Sequence, residues 1–139
     1  MLRTIANILW HIPFLGFINA LYAFLVGILL TVLVIPSPIG LGLIQYAKFL
    51  MFPFTCRMVP VSETGNSRNP LWAAYSAVIL LLYLPFGLVA FVFGLMQCVG
   101  LALTIVGLPY AYIIAKSLGT YFNPVGKVCV LIEEEYFRK

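Results

Sequence analysis

Two long stretches of uncharged, mostly apolar residues dominate the chain. Residues 4–47 and residues 69–115 contain no Lys, Arg, Asp or Glu and are rich in aliphatic and aromatic side chains. One crossing of a membrane by an α-helix needs about 20 consecutive apolar residues. Each stretch is therefore long enough for two crossings, or for one crossing and a re-entrant segment.

Prolines divide each stretch into shorter helices, because proline lacks a backbone N–H and clashes with the preceding turn. The prolines predict three helical pieces in each half of the chain, at residues 2–12, 14–35 and about 39–52, and at residues 71–84, 86–107 and 110–122. The second piece of each half, with about 22 residues, is about 33 Å long and is expected to cross the membrane. The third piece, with about 14 residues, reaches only about 21 Å, so it either crosses a thinned bilayer or re-enters from one side.

The two halves of the chain resemble each other. A shift of 73 positions places Gly27 on Gly100, Thr31 on Thr104 and Pro36 on Pro109, and hydrophobicity alone does not explain these identities. Chance similarity between apolar segments is the alternative. We predict two tandem repeats. The predicted division of the chain is membrane repeat 1 at 1–62, a cytoplasmic linker at 63–70, membrane repeat 2 at 71–132 and a cytoplasmic charged tail at 133–139.

Composition excludes an ordinary water-soluble domain. The chain has 139 residues, of which 63% are hydrophobic and 9% are charged, whereas soluble domains have roughly 25% charged residues. A chain of this length cannot hide so much apolar surface from water. Lipid is therefore the expected surrounding of most of the protein.

The distribution of basic residues predicts the orientation, because Lys and Arg in short loops stay on the cytoplasmic side. The turns at residues 36–38 and 107–109 carry no charge. We predict that both termini are cytoplasmic and that the two repeats are parallel. The predicted cytoplasmic basic face consists of Lys48, Arg57, Lys116 and Lys127.

The predicted fold class is an all-α polytopic membrane protein of two tandem repeats, each a proline-kinked helical hairpin. It has about four crossings, or two crossings and two re-entrant segments. The tails at residues 54–61 and 125–132 contain β-branched residues in loose alternation, so they are expected to pair as a small cytoplasmic β-hairpin or sheet. Trp10, Tyr22 and Tyr110 are expected in interfacial belts or subunit contacts.

The second half of the chain carries a recognisable run of residues. Residues 104–109, then Lys116, then residues 124–128 resemble the signature of the YccF family of bacterial inner membrane proteins, and residues 7–10 are similar to that family's start. The resemblance covers nearly the whole chain and both repeats. It implies a small protein of the bacterial inner membrane and names no particular chemistry. The departures from the family pattern are Thr55, Asn123 and Val125.

Catalysis is poorly supported by the titratable residues. The chain has no Asp, one histidine (His11), and no acidic residues except Glu63 and three consecutive glutamates at 133–135. Paired carboxylates, catalytic triads and acid-rich metal sites therefore cannot be assembled. We predict that the protein is not an enzyme and needs no cofactor and no metal.

Transport of a small ion is a more natural hypothesis, because broken helices and uncharged polar groups offer oxygen atoms to ions inside a membrane. One chain is too thin to enclose a pore, so the predicted passive channel is a homo-oligomer. The alternative is that the threonines bond back to their own helices and the glycines only permit close packing. The candidate pore residues are Thr31, Pro36, Gln45, Gln97, Thr104, Gly107 and Pro109.

A second hypothesis is a non-conducting accessory or scaffold subunit of an envelope or efflux complex. Its basic face would meet anionic lipid. The net charge of +4 fits ordinary cytoplasmic placement of Lys and Arg and requires no nucleic acid. The predicted partners are the lipid bilayer, further copies of the chain and, for a channel, a small ion.

Overall fold

A computed structural model describes residues 1–14, 16–64 and 69–133 of the protein. Within these residues the chain forms five α-helices and two β-strands: α1 (Leu2–Phe14), α2 (Gly16–Val32), α3 (Ser37–Met51), β1 (Cys56–Pro60), α4 (Pro70–Ala102), α5 (Leu108–Phe122) and β2 (Lys127–Leu131), with a short 3-10 helix at Val61–Thr64. The predicted mostly helical class is confirmed. Half of the predicted linker at 63–70 and nearly all of the charged tail at 133–139 lie outside the described residues.

Helix α4 is the one described helix that is by itself long and apolar enough to cross a membrane. It has 33 residues and a mean hydropathy of 2.6 over its most apolar window, and it is about 50 Å long at 1.5 Å per residue. The helix continues past Pro85 without interruption, so the predicted break at that proline is wrong. In an apolar environment the neighbouring backbone groups find no partners outside the helix, and this favours continuation past a proline.

The N-terminal helices form a bent pair. The part of α1 at residues 2–12 meets α2 at 79°, and the two helices make a second candidate crossing only if they are taken as one broken span. Helix α2 ends at Val32, earlier than the predicted end at residue 35, and the turn that follows holds Val34 at a φ of 61°. At most two crossings are supported by length and hydropathy in the described residues, rather than four.

Three side chains fix α1 against the end of α3 and the residues that follow it. The Trp10 indole Nε1 donates to the Leu50 carbonyl at 2.9 Å, and His11 Nε2 lies 2.9 Å from the Met51 carbonyl oxygen. Asn7 donates through Nδ2 to Thr55 Oγ1 at 2.8 Å and accepts from the backbone N–H of Phe54 at 3.1 Å. These contacts hold α1 across the bundle instead of in line with α2.

The short helices α3 and α5 occur where the third pieces were predicted. Each begins with a proline in its first turn, where the missing N–H costs nothing. Helix α3 packs against α2, since a Cβ atom on Gly27 would lie 3.0 Å from the Gly40 carbonyl oxygen. Helix α5 packs against α4, since a Cβ atom on Gly94 would lie 2.9 Å from the Tyr121 ring.

The helices α3 and α5 run in opposite directions. The Tyr46 hydroxyl of α3 lies 3.0 Å from the Tyr121 hydroxyl, near the end of α5. Just after α3, the Phe54 ring stacks on Tyr112, near the start of α5, with centroids 5.8 Å apart. The α2–α3 and α4–α5 turns therefore lie at opposite ends of this pair, and the predicted parallel arrangement of the two repeats is wrong.

The tails after α3 and α5 pair with each other. Strands β1 and β2 are antiparallel, from Cys56 opposite Leu131 to Pro60 opposite Lys127, and both lie inside the segments predicted to pair. Because α4 and α5 separate the strands in the chain, the pair is a two-stranded sheet and not a hairpin. The antiparallel strands, which begin shortly after α3 and α5, agree with the opposite directions of those helices.

Equivalent residues of the two halves make one equivalent hydrogen bond. Trp10 donates to the Leu50 carbonyl, and Tyr83, its partner in the sequence shift, donates through its hydroxyl to the Tyr121 carbonyl at 3.0 Å. Both acceptors lie near the end of the short helix of the same half. Such a correspondence is what a tandem repeat predicts.

Candidate functional site

The threonines proposed to line a pore bond to their own backbone. Thr31 Oγ1 donates to the Gly27 carbonyl at 2.7 Å. Thr104 Oγ1 donates to the Leu101 carbonyl at 2.9 Å and accepts from the Gly107 N–H at 3.1 Å. These contacts agree with the alternative that the threonines bond back to their own helices. The hydroxyls are engaged inside the chain and are not directed at a shared space.

The remaining pore candidates are not brought together either. Gln45 Oε1 accepts the backbone N–H of Cys129 at 3.3 Å and so ties α3 to β2. Gln97 lies on an exposed part of α4, and Pro36 and Pro109 mark the starts of α3 and α5. Since the α2–α3 and α4–α5 turns lie at opposite ends of the bundle, the candidates of the two halves form no single site within one chain.

Carbonyl groups at the α2–α3 turn are also in use. The Tyr75 hydroxyl, near the start of α4, lies 3.1 Å from the Val34 carbonyl oxygen and 2.7 Å from that of Ile35. The contact fixes the α2–α3 turn to α4. It places the Tyr75 hydroxyl beside the oxygen atoms that the pore hypothesis offered to an ion at this turn.

The predicted basic face divides into two exposed and two half-buried residues. Lys48 and Arg57 are exposed. Lys116 Nζ donates to the Pro53 carbonyl at 2.7 Å and to the Cys56 carbonyl at 3.0 Å, and it lies 5.4 Å from the ring centroids of both Phe49 and Tyr112. Lys127 Nζ donates to the Gly119 carbonyl at 2.6 Å, and partial burial lowers the pKa of its ammonium group. Lys116 thus joins the two halves as a structural cation.

An aromatic cavity of about 240 Å³ lies between α1, α2, α3 and α5. Its aromatic lining consists of Trp10, Tyr22, Tyr46, Tyr110 and Tyr121. Among the described residues no Lys, Arg, Asp or Glu lines it, and its polar side chains besides those of Trp10 and the tyrosines are those of Asn19 and Ser117. We call this space the aromatic cavity.

Hydrogen bonds and ring contacts hold the walls of the aromatic cavity in place. The Trp10 and Tyr110 rings lie 5.1 Å apart at a tilt of 33°, and the Tyr46 and Tyr121 rings lie 5.8 Å apart at 72°. The Tyr46 hydroxyl donates to Ser117 Oγ at 3.2 Å and is paired with the Tyr121 hydroxyl. Two neighbouring walls of the cavity are therefore almost perpendicular, and their hydroxyl groups are already bonded.

The aromatic cavity was not foreseen from the sequence. Trp10, Tyr22 and Tyr110 were expected in interfacial belts or subunit contacts, but Trp10 is only 3% exposed and packs in the core. The lining residues come from four helices spread over most of the chain, so no local spacing signals the cavity. The one signal in the sequence is that Trp10 and Tyr83 occupy equivalent positions in the two halves, which indicates a structural role for Trp10.

Comparison with protein families bears on the N-terminal half, which supplies Trp10, Tyr22 and Tyr46 to the cavity. Residues 5–55 match YccF, the inner membrane component domain. The resemblance to YccF predicted from the sequence is thereby confirmed over α1 to α3, and the family description agrees with the predicted inner-membrane location. No curated protein and no solved structure matches the chain.

Metal ligands are not clustered in the part of the chain that the structure describes. No three His, Cys, Asp or Glu side chains there lie close enough to hold a metal ion. In the described residues, the candidate sites that remain are the aromatic cavity and the exposed surface of α4.

Proposed function

We propose that the protein is a non-conducting inner-membrane scaffold that associates with a second copy of itself through α4. What supports this proposal is an exposed polar and small pair on the longest membrane helix. Gln97 and Gly100 are both exposed on α4, and residues three apart share a helix face. Apolar residues flank Gln97 on both sides, and hydrocarbon offers no hydrogen-bond partner to an amide.

Gly100 differs in its surroundings from its equivalent in the first half. A Cβ atom on Gly27 would lie 2.9 Å from the Ile44 side chain and 3.0 Å from the Gly40 carbonyl oxygen, whereas a Cβ atom on Gly100 would meet nothing within 4 Å. Glycine in a membrane helix lets a second helix approach closely. The first half fills this position with α3, and the second half leaves it open.

A second copy of the chain satisfies the glutamine symmetrically. A primary amide carries two N–H donors and a carbonyl acceptor. Two Gln97 side chains that face each other across a two-fold axis each donate to the other and accept from it. A two-fold contact is also closed, so it forms a dimer and not an open chain.

The geometry of the pore candidates favours the non-conducting alternative over the channel. Thr31 and Thr104 bond to carbonyls of their own helices, and Tyr75 bonds the carbonyls of the first turn. Liposomes that contain the purified protein are expected to pass K⁺, Na⁺ and Cl⁻ no faster than protein-free liposomes. Flux that the double variant Thr31→Val and Thr104→Val abolishes would contradict the proposal and restore the channel.

Association is tested by energy transfer between labelled copies in liposomes. Gly100→Leu and Gln97→Leu are each expected to weaken dimerisation about 5- to 30-fold, which corresponds to about 1–2 kcal/mol of helix packing or hydrogen bonding in a membrane. Leu88→Phe enlarges an exposed side chain on another side of α4 and is the matched control, expected to dimerise like the parent. Because nothing lies near the Gly100 position, Gly100→Leu is expected to fold normally, which circular dichroism checks.

Two outcomes would overturn the association surface. A parent protein that stays monomeric at high protein-to-lipid ratio lacks the proposed contact. Equal dimerisation of the parent, Gly100→Leu and Gln97→Leu would place the contact elsewhere on the protein.

A further inference from the structure

We propose that the aromatic cavity is a binding site for a quaternary ammonium group, carried by a small free cation or by a lipid headgroup. This inference goes beyond the scaffold function and does not depend on α4. Five aromatic side chains line the cavity, which has a volume of about 240 Å³. Pockets for drug-sized ligands are larger, at roughly 300–1,000 Å³, so the cavity suits a compact group.

The charge of the ligand follows from the walls of the cavity. Aromatic faces carry negative electrostatic potential and attract cations that lie within about 6 Å of a ring centroid. Tyr46 and Tyr121 stand at 72° to each other, and the Trp10 and Tyr110 rings form a further wall. In the part of the chain that the structure describes, no Lys or Arg lines the cavity to repel a cation, and no Asp or Glu lines it to make an ion pair.

The ligand is expected to have no hydrogen-bond donors, because the main polar groups of the cavity wall are already hydrogen-bonded within the protein. The Trp10 N–H is donated to Leu50, and the hydroxyls of Tyr46 and Tyr121 are paired with each other. Ser117 Oγ donates to the Ile113 carbonyl at 2.8 Å. Asn19 and Tyr22 are exposed, so a primary ammonium or a phosphate held against Trp10, Tyr46 and Tyr121 would leave most of its own hydrogen bonds unmade, at a large cost. A quaternary ammonium has no N–H groups and avoids this cost.

The wall formed by Tyr22 gives access and a means of testing the site. Tyr22 is 71% exposed, so the cavity opens on the outer surface of α2. Its ring contributes little to the core, and its replacement is expected to leave the fold intact. By contrast, Tyr46 is almost fully buried, and its removal would disturb the packing of α3 on α5.

The binding test uses the fluorescence of Trp10. The chain has two tryptophans, and Trp72 does not line the cavity, so the Trp72→Phe variant reports on Trp10 alone. The protein in phosphatidylethanolamine nanodiscs is titrated with choline and with 3,3-dimethylbutan-1-ol, an uncharged analogue of the same shape. Choline is expected to bind about tenfold more tightly than the alcohol, in line with cation–π attraction in a partly desolvated site.

The matched pair Tyr22→Leu and Tyr22→Phe separates the ring from its hydroxyl. In the Trp72→Phe background, Tyr22→Leu is expected to weaken choline binding about threefold or more, and Tyr22→Phe is expected to bind like the parent. Equal affinity for choline and its uncharged analogue, no binding of either, or no effect of Tyr22→Leu would overturn the proposal.

The lipid composition of the nanodisc identifies the source of the quaternary ammonium group. Phosphatidylcholine and phosphatidylethanolamine have the same net charge, but only phosphatidylcholine carries a quaternary ammonium. A lipid headgroup as the ligand predicts that choline binds at least threefold more weakly in phosphatidylcholine than in phosphatidylethanolamine. Equal choline affinity in the two lipids identifies a free cation as the ligand.

Discussion

At Gly42 the two halves of the protein come into close backbone contact. A Cβ atom built on Gly42 of α3 would overlap with the carbonyl oxygen of Pro124, in the segment between α5 and β2. The Pro124 carbonyl belongs to the backbone, and so does the Cα atom that would carry the new methyl group. Neither can change rotamer as a flexible side chain would. Gly42→Ala therefore forces α3 and the segment after α5 apart.

The size of the effect follows from three contributions. Overpacking in a close-packed site costs about 1–3 kcal/mol. Separation of the two segments also strains the nearby hydrogen bond from Cys129 N–H to Gln45 Oε1, which is worth about 1 kcal/mol. Alanine in place of glycine favours the helix by about 1 kcal/mol. We expect Gly42→Ala to destabilise the protein by about 1–3 kcal/mol.

The assay is unfolding of purified protein in mild detergent, followed by circular dichroism. Gly100→Ala is the matched control, measured at a protein concentration at which the protein is monomeric, because its new Cβ would meet nothing within 4 Å and it gains the same helix preference. We expect the control to be as stable as the parent or more stable by up to about 1 kcal/mol. If Gly42→Ala proves as stable as Gly100→Ala, the close approach of α3 to the segment after α5 is wrong.

Two further predictions concern the face formed by the sheet and its lysines. Lys116→Met is expected to lower the stability by about 1–3 kcal/mol, because it leaves two carbonyls without their charged donor. Lys48→Met, at an exposed position, is the control and is expected to stay within about 0.5 kcal/mol of the parent. Equal unfolding curves of the two variants would contradict the structural role of Lys116. A hydrogen bond with Cys56 and burial raise the pKa of the Cys129 thiol. At pH 8 a smaller fraction of Cys129 is therefore thiolate than for an ordinary cysteine. Maleimide is expected to modify Cys129 more slowly in the folded protein than in denaturant. Peptide mass spectrometry measures both rates, and equal rates would refute the shielding of Cys129.

The pattern of the sequence predicts the helices better than their arrangement. The uncharged stretches and the prolines located α3 and α5 within two residues of their observed starts. Their relative direction was predicted incorrectly, because hydropathy is the same for a helix read in either direction. The rule used for orientation considers only Lys and Arg in loops, and it contains no information on how two uncharged turns lie relative to each other.

The two prolines at the first breaks show why a local rule was insufficient. Pro85 lies within α4, whereas the equivalent break after residue 12 accompanies a 79° bend. Asn7 and Trp10 hold α1 against α3 and the tail that follows it, and the residues in their places on α4 are Leu80 and Tyr83. Tyr83 repeats the hydrogen bond of Trp10, but Leu80 cannot repeat the two hydrogen bonds of Asn7, so the start of α4 is held by fewer contacts than α1.

The bend after α1 and the absence of a break in α4 account for the aromatic cavity and for the exposed α4 surface. The bend after α1 carries Trp10 into the core, where it meets Tyr110 of the other half and closes one wall of the cavity. The continuous helix α4 has an uncovered outer side, with Phe86 72% and Phe93 63% exposed. A chain of this size has no third layer to cover that side, so lipid or another copy of the protein must. Because hydrocarbon can cover the phenylalanines but cannot pair the amide of Gln97, the polar residue and not the apolar area argues for a protein partner at this surface.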